Sequence, residues 1–416
     1  MLPFKLQPKG RFSPGRYLKI LVGSILPQQA AFSGVELFFW AAMASDGMLA
    51  MYLQSLGMSA SEVGTLLAFL ATAGIFSPPF WGMMSDRLRS VKRVIFLLFS
   101  TATVLWALVP FVLGHISITS AWVILPLFRF FNGPVSALLD SWIVRTTYTD
   151  RRMSFGSIRT FGSLGYAIAA VVYTFLIKAF SINVIFIGFV TMAVPMLVIM
   201  ANIKGDDQES KRAISMKELR AGIGQLMKLF PYVSFLLFSV ILNIPVNASF
   251  TFLSFHLKSI GEDPALLGTV LGLKALVEIP LLLLSGKLIK KFAFPHLLLA
   301  VGCVYVLEMF LYPLCGSFYS VLAVQCMHGA MFGLYISAQI QYIYSLAPPN
   351  LTATAQTFTG ASLSLASIAG NILGGLVIDT LGINMLFIIS AFIQLAAVLL
   401  FALSLRYSAK KQKAAA

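Results

Sequence analysis

The sequence predicts an all-α membrane protein of twelve spanning helices in two pseudo-symmetric bundles of six. Three observations predict it. The first is composition: of 416 residues, 58% are hydrophobic and only 11% charged, with a mean hydropathy of +0.88. Length alone would allow two or three soluble domains, but the largest polar block, from Ile203 to about Pro231, is too short to fold apart. The second is segmentation. The apolar residues fall into about twelve runs of roughly 20, each able to cross a hydrocarbon core of about 30 Å. The third is charge placement: 25 of the 30 Lys and Arg residues lie in the termini and in alternate loops, which is the positive-inside pattern.

The basic segments delimit the elements in order. Lys5, Lys9, Arg11, Arg16 and Lys19 mark an N-terminal arm, 1–30, without the continuous apolar core of a signal peptide. Spans 31–56 and 61–83 lead to the basic run Arg87 to Arg93. Spans 94–114 and 120–146 lead to Arg145 to Arg152, and spans 156–177 and 182–202 close a first bundle, 31–202. A linker, 203–231, carries Lys204 to Lys228; its segment Ser215 to Leu229 has helical apolar spacing and a basic face, fitting an interfacial helix or a solvated connector. Spans 232–256 and 264–286 lead to Lys287, Lys290 and Lys291. Spans 295–315, 318–345, 353–377 and 382–405 complete a second bundle, 232–405, before the basic tail, 406–416. Both termini are expected in the cytoplasm of a bacterial inner membrane, the compact loops suggesting that source.

The net charge of +15 would suit nucleic acid, but its loop-by-loop distribution suits anionic lipid headgroups instead. Cys303, Cys315 and Cys326 lie in apolar segments at spacings that fit no zinc or redox motif. No cofactor is expected. The sequence has no metal-ligand cluster, no phosphate-binding glycine loop and no nucleophile spaced with a base, so it does not read as an enzyme.

The halves look like repeats. Span 2 runs into Gly82, Asp86, Arg87 and Arg89, followed by Lys92 and Arg93; span 8 runs into Gly286, Lys287, Lys290 and Lys291. Within the spans stand Asp46, Arg129, Asp140, Arg159, Glu278, Glu308 and His328. A charge at mid-bilayer costs at least roughly 2.5–3.5 kcal/mol unless it faces protein or water. A chain carrying several is expected to move polar solutes or protons.

The segment from Gly82 to Arg93 resembles the loop 2–3 signature of the major facilitator superfamily. Arg129 and Gly133 resemble its span-4 motif, Arg-x-x-x-Gly. The resemblance implies alternating access by a monomer, with Gly82, Asp86, Arg87 and Arg93 gating as a cytoplasmic latch. A closer likeness runs to lactose permease and its relatives. The stretch from Phe155 through Arg159, Gly162 and Gly165 to Tyr166 resembles the start of their span 5, where an arginine pairs with a span-4 carboxylate and contacts sugar. Asp140 lies near that carboxylate position, and Gln325 to Gly329 resembles the segment holding their span-10 histidine, here His328. Glu278 with Pro280 resembles the acidic span-8 position of the phenylpropionate- and nucleoside-permease-like group. Met331 stands where lactose permease carries its proton-bearing glutamate, and Glu308 lies near the place of a missing arginine. That coupling scheme therefore does not transfer.

Arg129, Gly133, Ser136 and Asp140 share one stripe of span 4. Its charged ends are about 16 Å apart at 1.5 Å per residue, so each needs a partner elsewhere. Asp46 with Arg129 is one expected pair, a proton switch or a static bridge; Asp140 with Arg159 is the second. Glu308 with His328 is a third, and Lys274 with Glu278 is expected to pair along span 8. Glu36 is expected to snorkel at a helix end. Asp46, Arg129, Glu278, Glu308 and His328 are the coupling candidates. Asp140, Arg159, Tyr166, Asn243, Asn247, His328 and Gln339 are the substrate candidates. The polar stripes of spans 10 and 11 fit a pathway or glue between helices. The function expected is proton-coupled import of a small polar solute, an oligosaccharide or glycoside first. The alternatives are proton-driven export of drugs or lipids, and import of nucleosides or aromatic acids.

Overall fold

The computed structural model describes residues 27–88, 90–150, 153–203, 216–348 and 351–415. They form sixteen α-helices: α1 (Pro27–Asp46), α2 (Leu49–Ser55), α3 (Ala60–Leu88), α4 (Val91–His115), α5 (Ala121–Asn132), α6 (Val135–Thr149), α7 (Phe155–Ala179), α8 (Val184–Asn202), α9 (Met216–Leu226), α10 (Phe230–Thr251), α11 (Leu253–Ser259), α12 (Leu267–Lys291), α13 (Phe294–Leu311), α14 (Phe318–Leu346), α15 (Thr352–Leu381) and α16 (Ile383–Ala415). No strand occurs among the described residues. Among the described residues, eleven segments are long and apolar enough to cross a membrane. The expected first span is outside that set because Gln28, Gln29, Glu36 and Asp46 make α1 too polar.

Three expected spans are broken helices. The first divides into α1 and α2 at Gly47-Met48, the fourth into α5 and α6 at Gly133-Pro134, and the seventh into α10 and α11 at Phe252. Proline explains the second break, since it has no N–H to continue the ladder. Irregular backbone at bilayer depth survives only where protein or water covers it. Gly47 and Gly133 meet that condition, both lining the central cavity described below.

Packing repeats between the halves. In the first, α1 lies on α7 and α8, and α4 lies on α8; in the second, α10 lies on α15 and α16, and α13 lies on α16. Trp106 sits against Phe128, Phe186 and Phe189 at ring separations of 4.5, 5.1 and 5.7 Å, filling the first core with tilted aromatic contacts. Two seams join the halves, α3 on α15 and α7 on α12.

Both seams close on the face opposite the basic loops, and glycine makes them close. A Cβ on Gly64 would collide with the Asn371 carbonyl, and one on Gly375 with the Ala60 carbonyl. In the other seam, a Cβ on Gly268 or Gly272 would strike the Ala170 or Ala167 carbonyl. Polar contacts finish the closure. Asp379 of α15 accepts hydrogen bonds from the backbone N–H of Ala60, at 3.1 Å, and Ser61, at 2.8 Å, so a carboxylate from the second half caps a helix of the first. Thr269 donates to Thr174 at 3.0 Å, and Lys178 lies 3.6 Å from Asp263. Toward the basic face, a Cβ on Gly82, Gly156, Gly286 or Gly360 would meet nothing within 4 Å.

Losing the Asp379 cap should cost the closed seam about 1 kcal/mol, a roughly five-fold shift in population. In a variant lacking Cys303, Cys315 and Cys326, with Asn247→Cys as reporter, Asp379→Ala should therefore speed labelling by an impermeant maleimide applied from that face several-fold. An unchanged rate would show that the seam is held without this cap.

Candidate functional site

A cavity of about 660 Å³ lies between the halves, walled by the broken helices and by α7, α12 and α14. Charge enters it where the helices break. Asp46 ends α1, and Arg129 sits in the last turn of α5. Arg129 Nη2 donates to Asp46 Oδ1 at 3.1 Å, while Nη1 stands 3.1 Å from Oδ2. This fork-to-fork pair is the expected first pair, and its geometry is the strong bidentate kind. Both side chains remain partly exposed, 27% for Arg129 and 15% for Asp46, because both face the cavity. A second space of about 390 Å³, reaching between α3 and α15, shares Asp46, Gly47, Arg129, Gly133, Asn247 and Phe250 with the first. The pair therefore stands in the wall common to two openings.

The expected second pair is corrected. Asp140 neither lines the cavity nor lies within 4.0 Å of Arg159. Arg159 Nη1 instead stands 3.7 Å from Glu36 Oε2, and its guanidinium lies over Trp40, 4.3 Å from the ring centroid. Glu36 does not snorkel; it is fully buried. Glycine again supplies the reason. A Cβ on Gly162 would come within 2.7 Å of both Arg159 Nη1 and Glu36 Oε2, and one on Gly165 would strike the Leu37 carbonyl. The α1–α7 contact is thus tight enough to draw Glu36 inward beneath the arginine.

Glu308 and His328 meet as expected. His328 Nδ1 lies 2.8 Å from Glu308 Oε2, both side chains buried, and the imidazole stacks on Tyr305 at 4.6 Å between centroids. Glu308 Oε1 has no hydrogen-bond partner. His328 lines the cavity and Glu308 lies behind it. Glu278 also lines it, but Lys274 and Glu278 do not pair within 4.0 Å, because the Lys274 ammonium turns toward Phe250, 5.0 Å from its centroid.

Tyr166, Asn243 and Asn247 line the cavity; Gln339 does not. Ser367 of span 11 lines the second space, while several other polar residues of spans 10 and 11 act as glue. Gln325 donates to Tyr312 at 2.5 Å, Gln356 to the Ile340 carbonyl at 3.0 Å, and Thr359 lies 3.2 Å from the Tyr232 hydroxyl. Of the expected latch, Gly82 and Arg87 lie on α3 and Arg93 in the first turn of α4; the Asp86 side chain lies outside the described residues. Sequence reasoning missed Trp40, whose aromatic face gave no positional signal. It also missed Lys274 as a cavity cation, which its spacing to Glu278 disguised.

With this geometry in view, the comparisons decide the family. The profile of the family described as MFS_1 like family matches residues 30–389. The chain belongs to the major facilitator superfamily. It is a multi-pass membrane transporter and not an enzyme. Among similar proteins, an uncharacterized transporter, YwbF, of Bacillus subtilis (strain 168) is 26% identical over 336 residues, covering 80% of this chain and 82% of that protein. The maltose permease of Geobacillus stearothermophilus is 25% identical over 341 residues, covering 81% and 82%. The nucleoside transporter NupG superposes with a TM-score of 0.78 at 16% identity, covering 92% of this chain and 100% of that one. A D-xylose-proton symporter superposes with 0.68 at 15% identity, covering 90% and 96%. These two likenesses concern the fold of this major facilitator chain.

Removing Arg159 would strand a buried carboxylate. Arg159→Met should destabilise the protein by roughly 3 kcal/mol, the low end for breaking a buried pair, since the guanidinium is a third exposed. The double variant Glu36→Gln with Arg159→Met should recover most of the loss. Thermal melting in detergent checks this; equal melting temperatures for single and double variants would mean that the pair is not what holds Arg159.

Proposed function

We propose that this chain is a proton-coupled symporter importing a small hydroxyl-bearing solute, an oligosaccharide or glycoside, by alternating access. Residues 31–202 and 232–405 would be the two moving bodies, with 203–231 as their tether, in a monomer. The observation that carries the reading is the Asp46–Arg129 pair in the wall shared by the two spaces. A proton arriving at Asp46 would neutralise the carboxylate and release Arg129, so protonation and cavity shape would change together. A static bridge sealed in the core would lack that access.

The cavity chemistry supports a polar cargo. Arg159, Tyr166, Asn243, Asn247 and His328 line it with donors and acceptors, and Trp40 and Phe250 supply faces for a ring. Glu278 and the Glu308–His328 pair are further coupling candidates. The names of the similar proteins, a maltose permease and a D-xylose-proton symporter, support sugar and proton as the pair. Gly82, Asp86, Arg87 and Arg93 would form the opposing seam when the basic face closes. The loop charges support cytoplasmic termini, and the bacterial relatives support an inner membrane.

The test uses purified protein in liposomes with an external pH electrode. Adding maltose, other glycosides or nucleosides in turn should alkalinise the medium with one class. Asp46→Asn should abolish accumulation against a gradient while sparing exchange. Proton release on substrate entry would mark an antiporter instead, and uphill transport retained by Asp46→Asn would remove Asp46 from coupling.

A further inference from the structure

We propose that Lys274 anchors an acidic group on the cargo, making the solute a carboxylate-bearing, hydroxylated compound such as an acidic glycoside. The proposal rests on the cavity being the substrate site. Three cations line that cavity. Arg129 and Arg159 each have a carboxylate within 4 Å. Lys274 has none within 4.0 Å among the described residues, although Glu278 stands one turn along the same helix.

The ammonium is held, not loose. Its Nζ lies 5.0 Å from the ring centroid of Phe250 and 5.8 Å from that of Phe332. Aromatic rings at that range steady a cation without consuming its three N–H donors. The stem reaches the cavity by passing Gly329 of α14. A Cβ on that glycine would collide with the Lys274 carbonyl and come within 3.0 Å of Lys274 Cγ. Helix α14 gives up a side chain where it meets the α12 backbone, so the base of the lysine lies directly against α14.

The surroundings narrow the ligand further. Asn243 donates Nδ2 to the Ser239 carbonyl and the Tyr335 hydroxyl, each at 2.8 Å. Asn247 donates Nδ2 to the Asn243 carbonyl at 2.8 Å. With both donors of Asn243 and one of Asn247 committed, the two amides offer Oδ1 acceptors and one remaining N–H, a set that suits hydroxyl groups. A single free ammonium matches the single charge of a carboxylate. A phosphomonoester dianion would leave its second charge uncompensated in a desolvated site. The other ionisable groups around Lys274 are Glu278 on its own helix, Glu308 on α13, His328 on α14 and Arg159 on α7. Glu278 is the group that would take a proton as the acid arrives, so that two carboxylates do not face one ammonium.

Calorimetric titration of the full chain in detergent tests this with matched pairs that differ only at the acid: glucuronate and glucose, phenyl glucuronide and phenyl glucoside, hydroxycinnamate and hydroxycinnamyl alcohol. At least one acid should bind roughly ten-fold tighter than its neutral partner. Lys274→Met should erase that ratio, and Lys274→Arg should keep most of it. Lys274→Gln, with a polar stem, replaces the methionine variant if that one elutes aggregated. Failure of every acid to bind, equal binding within each pair, or an unchanged ratio in the neutral variants overturns the proposal. Binding by neutral partners alone, with proton uptake intact, would leave the symport reading standing and remove the acid from it.

Discussion

Asp46 and Arg129 hold each other across the point where the first and fourth spans both stop being helical. Each is costly in a bilayer and each makes the other tolerable. The pair also gives the breaks a polar surface to face. An interrupted helix has unpaired backbone groups, and only a wet or polar surface satisfies them. Asp46 and Arg129 line the same cavity as Gly47 and Gly133. Glu36 with Arg159 and Glu308 with His328 repeat the arrangement on other walls. Lys274 and Glu278, which have no such partner within 4.0 Å among the described residues, face the cavity instead.

Small residues carry the second half of the design. Gly162 admits the Glu36–Arg159 contact, Gly329 admits the α12 backbone at Lys274, and Gly64, Gly268, Gly272 and Gly375 let the halves meet backbone to backbone. In lipid, helices gain little by burying apolar surface against each other, so close approach and hydrogen bonding decide where they stick. Each of these glycines serves as a local address for contact.

Much of this architecture was legible in the sequence, because membrane-spanning helices and fold class follow from apolar run length. The Asp46–Arg129 and Glu308–His328 pairs were legible too, since few opposite partners stand on nearby spans. The rest depended on helix rotation, which a 3.6-residue period leaves open by tens of degrees when almost every face is apolar. That is why Asp140 was expected to hold Arg159 and why Glu36 was placed at a solvated end. Lys274 was hidden differently: its spacing to Glu278 satisfies the rule for a helical pair, and nothing local reveals that Phe250 and Phe332 compete for the ammonium. Asp379, at the end of a span, carried no signal for the distant backbone it caps.

That cap has a further consequence. When the seam parts, the N–H groups of Ala60 and Ser61 pass from a carboxylate to water, and Asp379 passes from the helix end to water as well. Both partners are rewetted, so the exchange is nearly balanced, and what remains is an attraction between a charge and a helix end at a solvated rim. Such an attraction is screened by mobile ions. The fluid bathing that face thus becomes a participant in the conformational equilibrium: its ionic strength sets how firmly the rim is held shut.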